Sequence, residues 1–338
     1  MIRLVLSAIA FLGLQGLVYY YLWRKLVRAT QLRRPWRRYV TAVLITLGVA
    51  TLANLLATRF ISVIFGKTLG WPLFIWMSVA FLMTMLFALT DLLRLSIRGA
   101  LRAARVDEPP ADPGRRTFVN RIVGGGVAMG AATLAGQGTV HALKTPGIKD
   151  VPIALGRLPA HLDGFRIGQL TDIHSGNTIG RGFVDDVVAR ANSSNPDLIA
   201  ITGDLVDGPV SELADAAAPL ADLRARHGVY FVTGNHEYYA GADPWIEYIR
   251  TLGIRVLRNE RVEIGGANGF DLAGVDDYNA DRFRGHGADL GRAVAGRNPE
   301  RELVVLAHQP RQIHESVKHG AGLQLSGHTH GGQIWPWH

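Results

Sequence analysis

Five short blocks of polar residues in the second half of this 338-residue chain carry the side chains that are best suited to chemistry. The blocks are Thr171-Asp172-Ile173-His174, Gly203-Asp204, Gly234-Asn235-His236-Glu237, His308, and Gly327-His328-Thr329-His330-Gly331-Gly332. Carboxylate, imidazole and amide-oxygen groups are ligands that suit Mn, Fe or Zn. The chain has no cysteine, which excludes disulfides, thiolate catalysis and zinc–thiolate sites. The residue types are therefore those of a metal centre with oxygen and nitrogen ligands, provided that the blocks meet.

The elements that must bring these blocks together are predicted from the apolar pattern. From Phe165 onward, short apolar runs alternate with helical stretches, which favours βαβ units and buried sheets. The predicted strands are Phe165–Leu170, Asp197–Thr202, Val229–Thr233, Phe270–Gly274, Leu303–Ala307 and Leu323–Ser326, and the predicted helices are Gly182–Ala191, Ser211–Arg226 and Pro244–Leu252. A polar block follows five of the six strands. Because ligand sites of α/β sheets gather at the carboxyl ends of strands, the five blocks can converge on one site.

The order of the blocks carries a resemblance to a known family. Asp-x-His, Gly-Asp, Gly-Asn-His-Glu, a lone His and Gly-His-Thr-His, over roughly residues 165–333, resemble the calcineurin-like metallophosphoesterases. The resemblance implies a four-layer α/β/β/α sandwich. The Gly-His-Thr-His-Gly-Gly-Gln ending and the apolar N-terminal runs are similar to a bacterial branch of membrane-associated or exported proteins, some of which act on phospholipids or on UDP-diacylglucosamine. Relatives normally continue beyond the last block, so the C-terminal part of the sandwich is expected to be incomplete at residue 338.

The resemblance also implies a role for each residue of the blocks. It implies two divalent ions (Mn, Fe or Zn), one held by Asp172, His174 and His330, the other by Asn235, His308 and His328, with Asp204 bridging them. Two ions about 3.5–4 Å apart can acidify a bridging water and neutralise the phosphoryl charge. The implied reaction is hydrolysis of phosphate ester or pyrophosphate bonds by a metal-activated hydroxide.

Two further residues, one within the blocks and one just after them, are expected to act outside the ligand set. His236 is expected to be the histidine that binds no metal and instead stabilises or protonates the leaving oxygen. Asp207, three residues after the Gly-Asp block, either orients a ligand or belongs to a solvated turn.

The first half of the chain has the pattern of membrane-spanning helices. Residues 4–23, 39–57 and 69–90 contain no charged side chain, and each run is long enough to cross about 30 Å of hydrocarbon as a helix. Residues 122–140 form a fourth, glycine-rich run. Residues 1–140 are therefore predicted to hold three or four transmembrane helices, residues 141–164 an extended linker, and residues 165–338 the phosphoesterase domain.

The basic residues between these runs predict how the chain lies in the cell membrane. Arg24–Arg38 holds seven Lys/Arg and no acidic residue, and Arg94–Arg121 holds seven Arg against three acidic residues. By the positive-inside rule both connections are cytoplasmic, which puts the catalytic domain of this multi-pass protein outside the cytoplasm if the fourth run crosses. Arg115-Arg116 before the fourth run is similar to a twin-arginine export signal, and whether residues 122–140 span or are cleaved stays open.

Charge and composition bear on the partners. Residues 1–121 carry 17 Lys/Arg against 4 Asp/Glu, whereas the remainder carries 19 against 24, so the net charge of +8 belongs to the membrane region. A nucleic-acid groove would normally be cationic, so no nucleic-acid partner is expected. The expected partners are the lipid bilayer and a phosphoester substrate that is lipid-linked or derived from the envelope. The alternatives are a nuclease or cyclic-nucleotide phosphodiesterase with the same metal centre, and an inert membrane scaffold.

Overall fold

The computed structural model describes residues 2–60, 63–105, 112–176 and 178–332. The chain divides into two compact units, Met1–Lys144 and Thr145–His338. Within the described ranges the first unit contains four long helices: α1 (Ile2–Trp23), α2 (Arg34–Phe60), α3 (Val63–Ala103) and α4 (Pro113–Ala142). A five-residue π-helical turn, Arg24–Arg28, extends α1.

Helices α1, α3 and α4 share an apolar interior. Its buried residues are Leu22, Ala80, Met83, Phe87, Val127 and Ala131. The last carbonyl groups of a helix have no partner inside that helix. After the π-helical turn these carbonyls are capped from α4, because Arg121 Nε donates to the carbonyl of Thr30 (2.9 Å) and Asn120 Nδ2 donates to the carbonyl of Ala29 (3.2 Å). The fourth helix is therefore packed into this unit by both apolar and polar contacts.

The four apolar runs of the sequence all lie within these helices, and each helix is longer than its run. Helix α4 begins at Pro113, where the side chain of Asp112 accepts a hydrogen bond from the backbone N–H of Gly114 (2.8 Å). Arginine is a good helix former, so the helices continue through residues that hydropathy leaves out. Among the described residues, Gly70–Ala103 and Pro113–Ala142 are long and apolar enough to cross a membrane. Membrane crossing by α1 and α2 stays a prediction.

The second unit contains two four-stranded sheets. In chain order the strands are β1 (Ile167–Leu170), β2 (Leu198–Ile201), β3 (Val229–Phe231), β4 (Arg255–Val256), β5 (Glu260–Ile264), β6 (Phe270–Gly274), β7 (Leu303–Leu306) and β8 (Leu323–Leu325). The first sheet has the order β1-β2-β3-β4 and is parallel throughout. The second has the order β5-β6-β7-β8, with β5 antiparallel to β6 and the other pairs parallel.

The inner faces of the two sheets form one apolar core, which holds Leu198, Ala200, Tyr230, Val232, Val262, Ile264, Phe270, Leu272, Val304 and Leu306. Because side chains alternate along a strand, the buried Ile199 and Ile201 lie on the outer face of the first sheet. The outer face of the second sheet buries Ala273, Leu303 and Val305 against Leu290 and Ala293.

Helices cover both outer faces. They are α5 (Arg181–Ser193), α6 (Val210–Ala217), α7 (Asn235–Ala240), α8 (Ala242–Thr251), α9 (Leu290–Ala293) and α10 (Ile313–Lys318). Helix α8 contacts β4, and α5, α6 and α8 lie together on the first sheet. Helix α9 packs on the second sheet, and α10 is tied to β8 by a hydrogen bond between Ser316 and Gln324 (2.6 Å). The α/β/β/α order of layers is confirmed.

Several details differ from the prediction. The helix predicted over Ser211–Arg226 ends at Ala217, because a 3₁₀ turn containing Pro219 follows. Strands β4 and β5 and the short helices α7, α9 and α10 were not predicted, since β4 has two residues and the apolar positions of β5 are few. The segment predicted as an extended linker, 141–164, is only partly so: its last ten residues pack against the sandwich core through Leu155, Leu158 and Leu162.

Candidate metal centre

The predicted ligands lie on loops whose backbone is unusual. Asp172, His174, Asp204, His328 and His330 have φ values of 53°, 49°, 52°, 71° and 50°. Nine non-glycine residues in the described part of the chain have a positive φ, and five of those nine are predicted ligands. Such a conformation is costly for a residue with a side chain, and it concentrates at functional sites, where the surrounding structure enforces it. The strand-end loops are therefore held in the form that turns these side chains inward.

The Asp-x-His and His-x-His spacing alone would suggest an extended backbone, which puts both side chains of each pair on one side. The backbone is instead left-handed at all four residues. Two glycines allow the loops to approach so closely. A Cβ on Gly203 (φ +89°) would lie 2.5 Å from the backbone nitrogen of Gly234, and one on Gly327 would lie 2.2 Å from Asp172 Oδ2.

One group of potential ligands consists of Asp172, His174 and His330, with ligand atoms all within 4.8 Å of one another. The Nε2 atoms of the two histidines are 3.1 Å apart. His330 Nε2 is 3.4 Å from Asp172 Oδ1. With metal–nitrogen bonds of about 2.1 Å, two ligands on one ion bring their nitrogens to about 3–3.4 Å. The spacing of this group fits a bound cation.

A second group consists of Asp204, His308 and His328. His328 Nδ1 is 3.2 Å from His308 Nε2, which is itself 3.0 Å from Asp204 Oδ2. His308 is fully buried, and its Nδ1 lies 2.8 Å from the carbonyl oxygen of Thr202, to which it donates. In the neutral ring this bond holds the proton on Nδ1 and leaves the lone pair of Nε2 toward the group, as a metal-ligating imidazole requires.

Asp204 lies between the two groups. Its Oδ2 is 3.0 Å from His308 Nε2 and 3.8 Å from His174 Nε2, while its Oδ1 accepts a hydrogen bond from the backbone N–H of His236 (2.8 Å). The side chain is 2% exposed. One carboxylate therefore faces ligands of both groups from a buried position, which is the arrangement that a bridging ligand needs.

Asn235, the remaining predicted ligand, provides an independent test of the fit. Its side-chain oxygen is buried and has no hydrogen-bond partner among the residues that the structure describes. A buried polar atom without a partner costs about 1–3 kcal/mol, so native proteins rarely leave one unexplained. A metal ion is a partner of suitable chemistry for an amide oxygen. The donor set and this unpaired oxygen together fit divalent cations.

His236 and His174 share one carboxylate. His236 Nδ1 is 2.7 Å, and His174 Nδ1 is 2.8 Å, from Asp207 Oδ1. Asp207 thus orients both rings and leaves their Nε2 atoms for other partners, so the ligand-orienting alternative is the one that the structure favours over a solvated turn. The signal in the sequence is the spacing of two aspartates, Gly-Asp204-x-x-Asp207.

The carboxylates and histidines of the site stabilise each other's charged forms. Burial lowers the pKa of His308, but Asp204 outweighs it and raises that pKa to about 9. The hydrogen bond that His236 Nδ1 donates to Asp207 raises the pKa of His236. Burial raises the pKa of Asp207, but the two histidines outweigh it and lower that pKa to about 2. The loops therefore create a negative field that attracts cations.

Glu237 has a structural role that sequence reasoning missed. Its side chain is fully buried. It accepts hydrogen bonds from the backbone N–H groups of Asp204 (3.0 Å), Leu205 (2.7 Å) and Gly234 (2.6 Å). Burial and the charge of Asp204 raise the pKa of Glu237 to about 7. This carboxylate clamps together the two loops that carry Asp204 and Asn235.

Comparisons with known proteins bear on the second unit. Residues 165–332 match the calcineurin-like phosphoesterase model. A transmembrane protein with metallophosphoesterase domain from Danio rerio is 40% identical over 214 residues, covering 61% of this chain and 49% of the relative. An uncharacterized metallophosphoesterase from Helicobacter pylori is 41% identical over 202 residues, covering 59% and 53%. The metallophosphoesterase YkuE of Bacillus subtilis is 30% identical over 228 residues, covering 65% and 78%. The chain spans about half the length of the first two relatives.

Proposed function

The chain belongs to the calcineurin-like phosphoesterase family, and from this premise we propose that it is a metal-dependent hydrolase of phosphate esters with a dinuclear centre. The observation that carries the proposal is the pair of ligand groups, in which Asp204 of the second group lies 3.8 Å from His174 of the first. The buried, unpaired side-chain oxygen of Asn235 supports it. Family membership implies divalent ions, and the two groups support a count of two. Mn, Fe and Zn all suit these ligands.

The residues are assigned to the two ions as the family resemblance implies. Asp172, His174 and His330 would hold one ion, Asn235, His308 and His328 the other, with Asp204 between them. When bound, such ions supply a water of lowered pKa and positive charge beside the phosphoryl oxygens. The protein orients the ligands through hydrogen bonds to groups outside the ligand set: His308 Nδ1 donates to the carbonyl oxygen of Thr202, and His174 Nδ1 donates to Asp207.

His236 is assigned to the leaving group. Its side chain is 36% exposed, so a substrate can reach it, and its Nδ1 is held by Asp207. Because Asp207 favours the protonated ring, His236 can donate a proton from Nε2 to the departing oxygen. Asp207 in turn stabilises the charge on the ring before that transfer.

The test is hydrolysis of aryl phosphate mono- and diesters by the full chain in detergent. We expect turnover with added Mn²⁺, loss of turnover with a chelator, and recovery when Mn²⁺ is restored, because the ligand groups release their ions to the chelator. Single-stranded DNA and cyclic nucleotides belong in the same substrate panel. Turnover that is indifferent to chelation would contradict the proposal, and preferential cleavage of DNA would favour the nuclease alternative.

A membrane or envelope substrate follows from association with the membrane. Two helices of suitable length and apolarity, Gly70–Ala103 and Pro113–Ala142, support membrane association, as do relatives named as transmembrane proteins. Tethering an enzyme at the bilayer raises the local concentration of lipid-linked substrates. We therefore propose a phosphoester substrate that is lipid-linked or part of the envelope, with the bilayer itself as a partner.

We further propose a multi-pass topology with the catalytic unit outside the cytoplasm. The distribution of Lys and Arg supports it, and the caps from Asn120 and Arg121 on the end of α1 support a fourth helix that remains in the protein. Protease added to intact spheroplasts should digest the catalytic unit, and in untreated cells the catalytic unit should be found in one uncut chain with α1 to α4. Shielding of the catalytic unit until lysis, or a shortened chain that begins after α4, would overturn this topology.

A further inference from the structure

An exposed tyrosine stands beside the histidine assigned to the leaving group. The Tyr239 ring centroid is 5.5 Å from that of His236, with an angle of 62° between the ring planes. Tyr239 is 60% exposed. Both residues belong to the short helix α7, which begins at Asn235. Among the described residues of the second unit, Tyr239 is the exposed aromatic residue whose ring contacts a histidine of the candidate site.

Phe283 extends this surface from a different part of the chain. Its ring centroid is 6.2 Å from that of Tyr239 and 5.4 Å from that of Tyr238. Tyr238 is buried, and its hydroxyl is hydrogen-bonded to Thr233 (3.0 Å). Phe283 therefore rests on a fixed ring on one side and meets the exposed Tyr239 on the other.

The loop that carries Phe283 is tied to the sandwich. Arg258 donates two hydrogen bonds to the buried carboxylate of Asp276 (2.9 and 2.7 Å) and contacts His286 Nδ1 (2.7 Å). Asn259 Nδ2 donates to the carbonyl of Gly287 (2.7 Å). With both ends of the loop held in this way, Phe283 has a defined position, and the two rings form a prearranged surface rather than a chance contact.

The position of this surface decides which part of a substrate it meets. A group that receives a proton from His236 Nε2 must be the oxygen that leaves the phosphoryl group. The atoms bonded to that oxygen then extend away from the phosphorus, past the exposed side of His236, where Tyr239 is the neighbouring ring. Flat apolar groups pack well on aromatic rings, with centroid distances of about 4.5–7 Å.

We propose that Tyr239 and Phe283 form a leaving-group subsite that selects phosphate esters whose leaving group is an aromatic or other flat apolar body. This inference rests on the proposed function, because it takes His236 as the proton donor to the leaving group. Tyr239 makes the contact with the ring of the substrate, and Phe283 positions Tyr239. The tyrosine hydroxyl has no part in the contact.

The test compares two esters that differ in ring area and little in reactivity. Phenyl phosphate and 2-naphthyl phosphate release phenols of similar acidity, so a difference in kcat/KM reports on contact with the second ring. For the full chain in detergent with Mn²⁺, we expect 2-naphthyl phosphate to be preferred about tenfold. In Tyr239→Ala the preference should fall to within about twofold of unity, whereas Tyr239→Phe should keep it.

A matched control is another exposed tyrosine of the same unit. Tyr278 is 44% exposed, and its ring lies 4.0 Å from the guanidinium carbon of Arg311. Tyr278→Ala removes the same ring from the surface and should leave both rates and the naphthyl preference as they are. Loss of the preference in Tyr278→Ala, or its retention in Tyr239→Ala, would overturn the assignment.

Failure of the subsite and failure of the proposed function give different results. Turnover of both esters without a naphthyl preference refutes the subsite alone. If neither these monoesters nor an aryl diester is hydrolysed, the proposed function fails. Direct binding of 2-naphthyl phosphate, monitored by the quenching of its fluorescence, then still tests the surface. Weaker binding to Tyr239→Ala than to Tyr239→Phe would then support an aromatic binding surface, and equal binding would refute it.

Discussion

Replacing Asp204 by Asn is expected to lower kcat/KM for an aryl phosphate by about 10³-fold or more. Asp204 is the residue whose buried carboxylate faces both ligand groups, with Oδ2 3.0 Å from His308 Nε2 and 3.8 Å from His174 Nε2. An amide of the same size removes the negative charge that offsets repulsion between two cations. Losses of 10²–10³-fold follow the removal of a single donor from an electrostatically preorganised site, and a shared ligand should cost at least as much.

The measurement pairs activity with metal content. The Asp204→Asn protein should retain less than the metal stoichiometry of the unaltered chain, by elemental analysis after dialysis against a fixed Mn²⁺ concentration. Asp222→Asn, at an exposed aspartate that ends the 3₁₀ turn Ala218–Asp222, is the matched control and should change neither quantity. Full metal content and full activity in Asp204→Asn would refute the bridging role. Full metal content with lost activity would assign Asp204 to the reaction rather than to metal retention.

Much of the fold was predictable, because the periodicity of apolar residues and the order of the elements along the chain determine the strands and their alternation with helices. All six predicted strands coincide with observed strands to within two residues at each end, and the α/β prediction is confirmed. Periodicity was least informative where elements are short or polar. Strand β5 has the sequence Glu-Arg-Val-Glu-Ile, and its burial comes from pairing with β6. Helix α7 begins within a polar block, for which the apolar pattern predicts no helix.

The convergence of the polar blocks was predictable, but their conformation was not. Strand ends and block order suffice to bring the predicted ligands together in one place. The positive φ of Asp172 and Asp204 is imposed by neighbouring loops, and nothing in the local sequence signals it. The shared contact of Asp207 with two histidines and the clamp made by Glu237 likewise depend on residues about thirty positions apart in the chain. Contacts of that range follow from tertiary structure.

Replacing Glu237 by Ala is expected to destabilise the catalytic unit by about 3–5 kcal/mol. The change leaves three buried backbone N–H groups without acceptors, at about 1–3 kcal/mol each, and it opens a cavity where the side chain was. Burial and Asp204 raise the pKa of Glu237 to about 7, which means that part of its stabilising effect is offset by desolvation. Because of this offset, the expected loss of stability lies at the lower end of the summed cost of the three unsatisfied N–H groups.

The effect of Glu237→Ala is best measured as the change in the midpoint of thermal unfolding of the catalytic unit in the full chain. For a unit of this size a loss of 1 kcal/mol lowers the midpoint by about 2–4 °C, so a drop of roughly 10 °C is expected. Glu247→Ala, on the exposed side of α8, is the matched control and should stay within about 0.5 kcal/mol of the unaltered chain.

Hydrogen exchange then locates the loss. The backbone amides of Asp204, Leu205 and Gly234 should exchange faster in Glu237→Ala, because their acceptor is gone, while amides in the centre of β2 stay protected until the whole unit unfolds. Unchanged exchange at these three amides would refute the clamp. Faster exchange with a preserved midpoint would show that Glu237 orders the loops of the metal centre without supporting the sandwich, and activity should then fall through weaker metal binding alone.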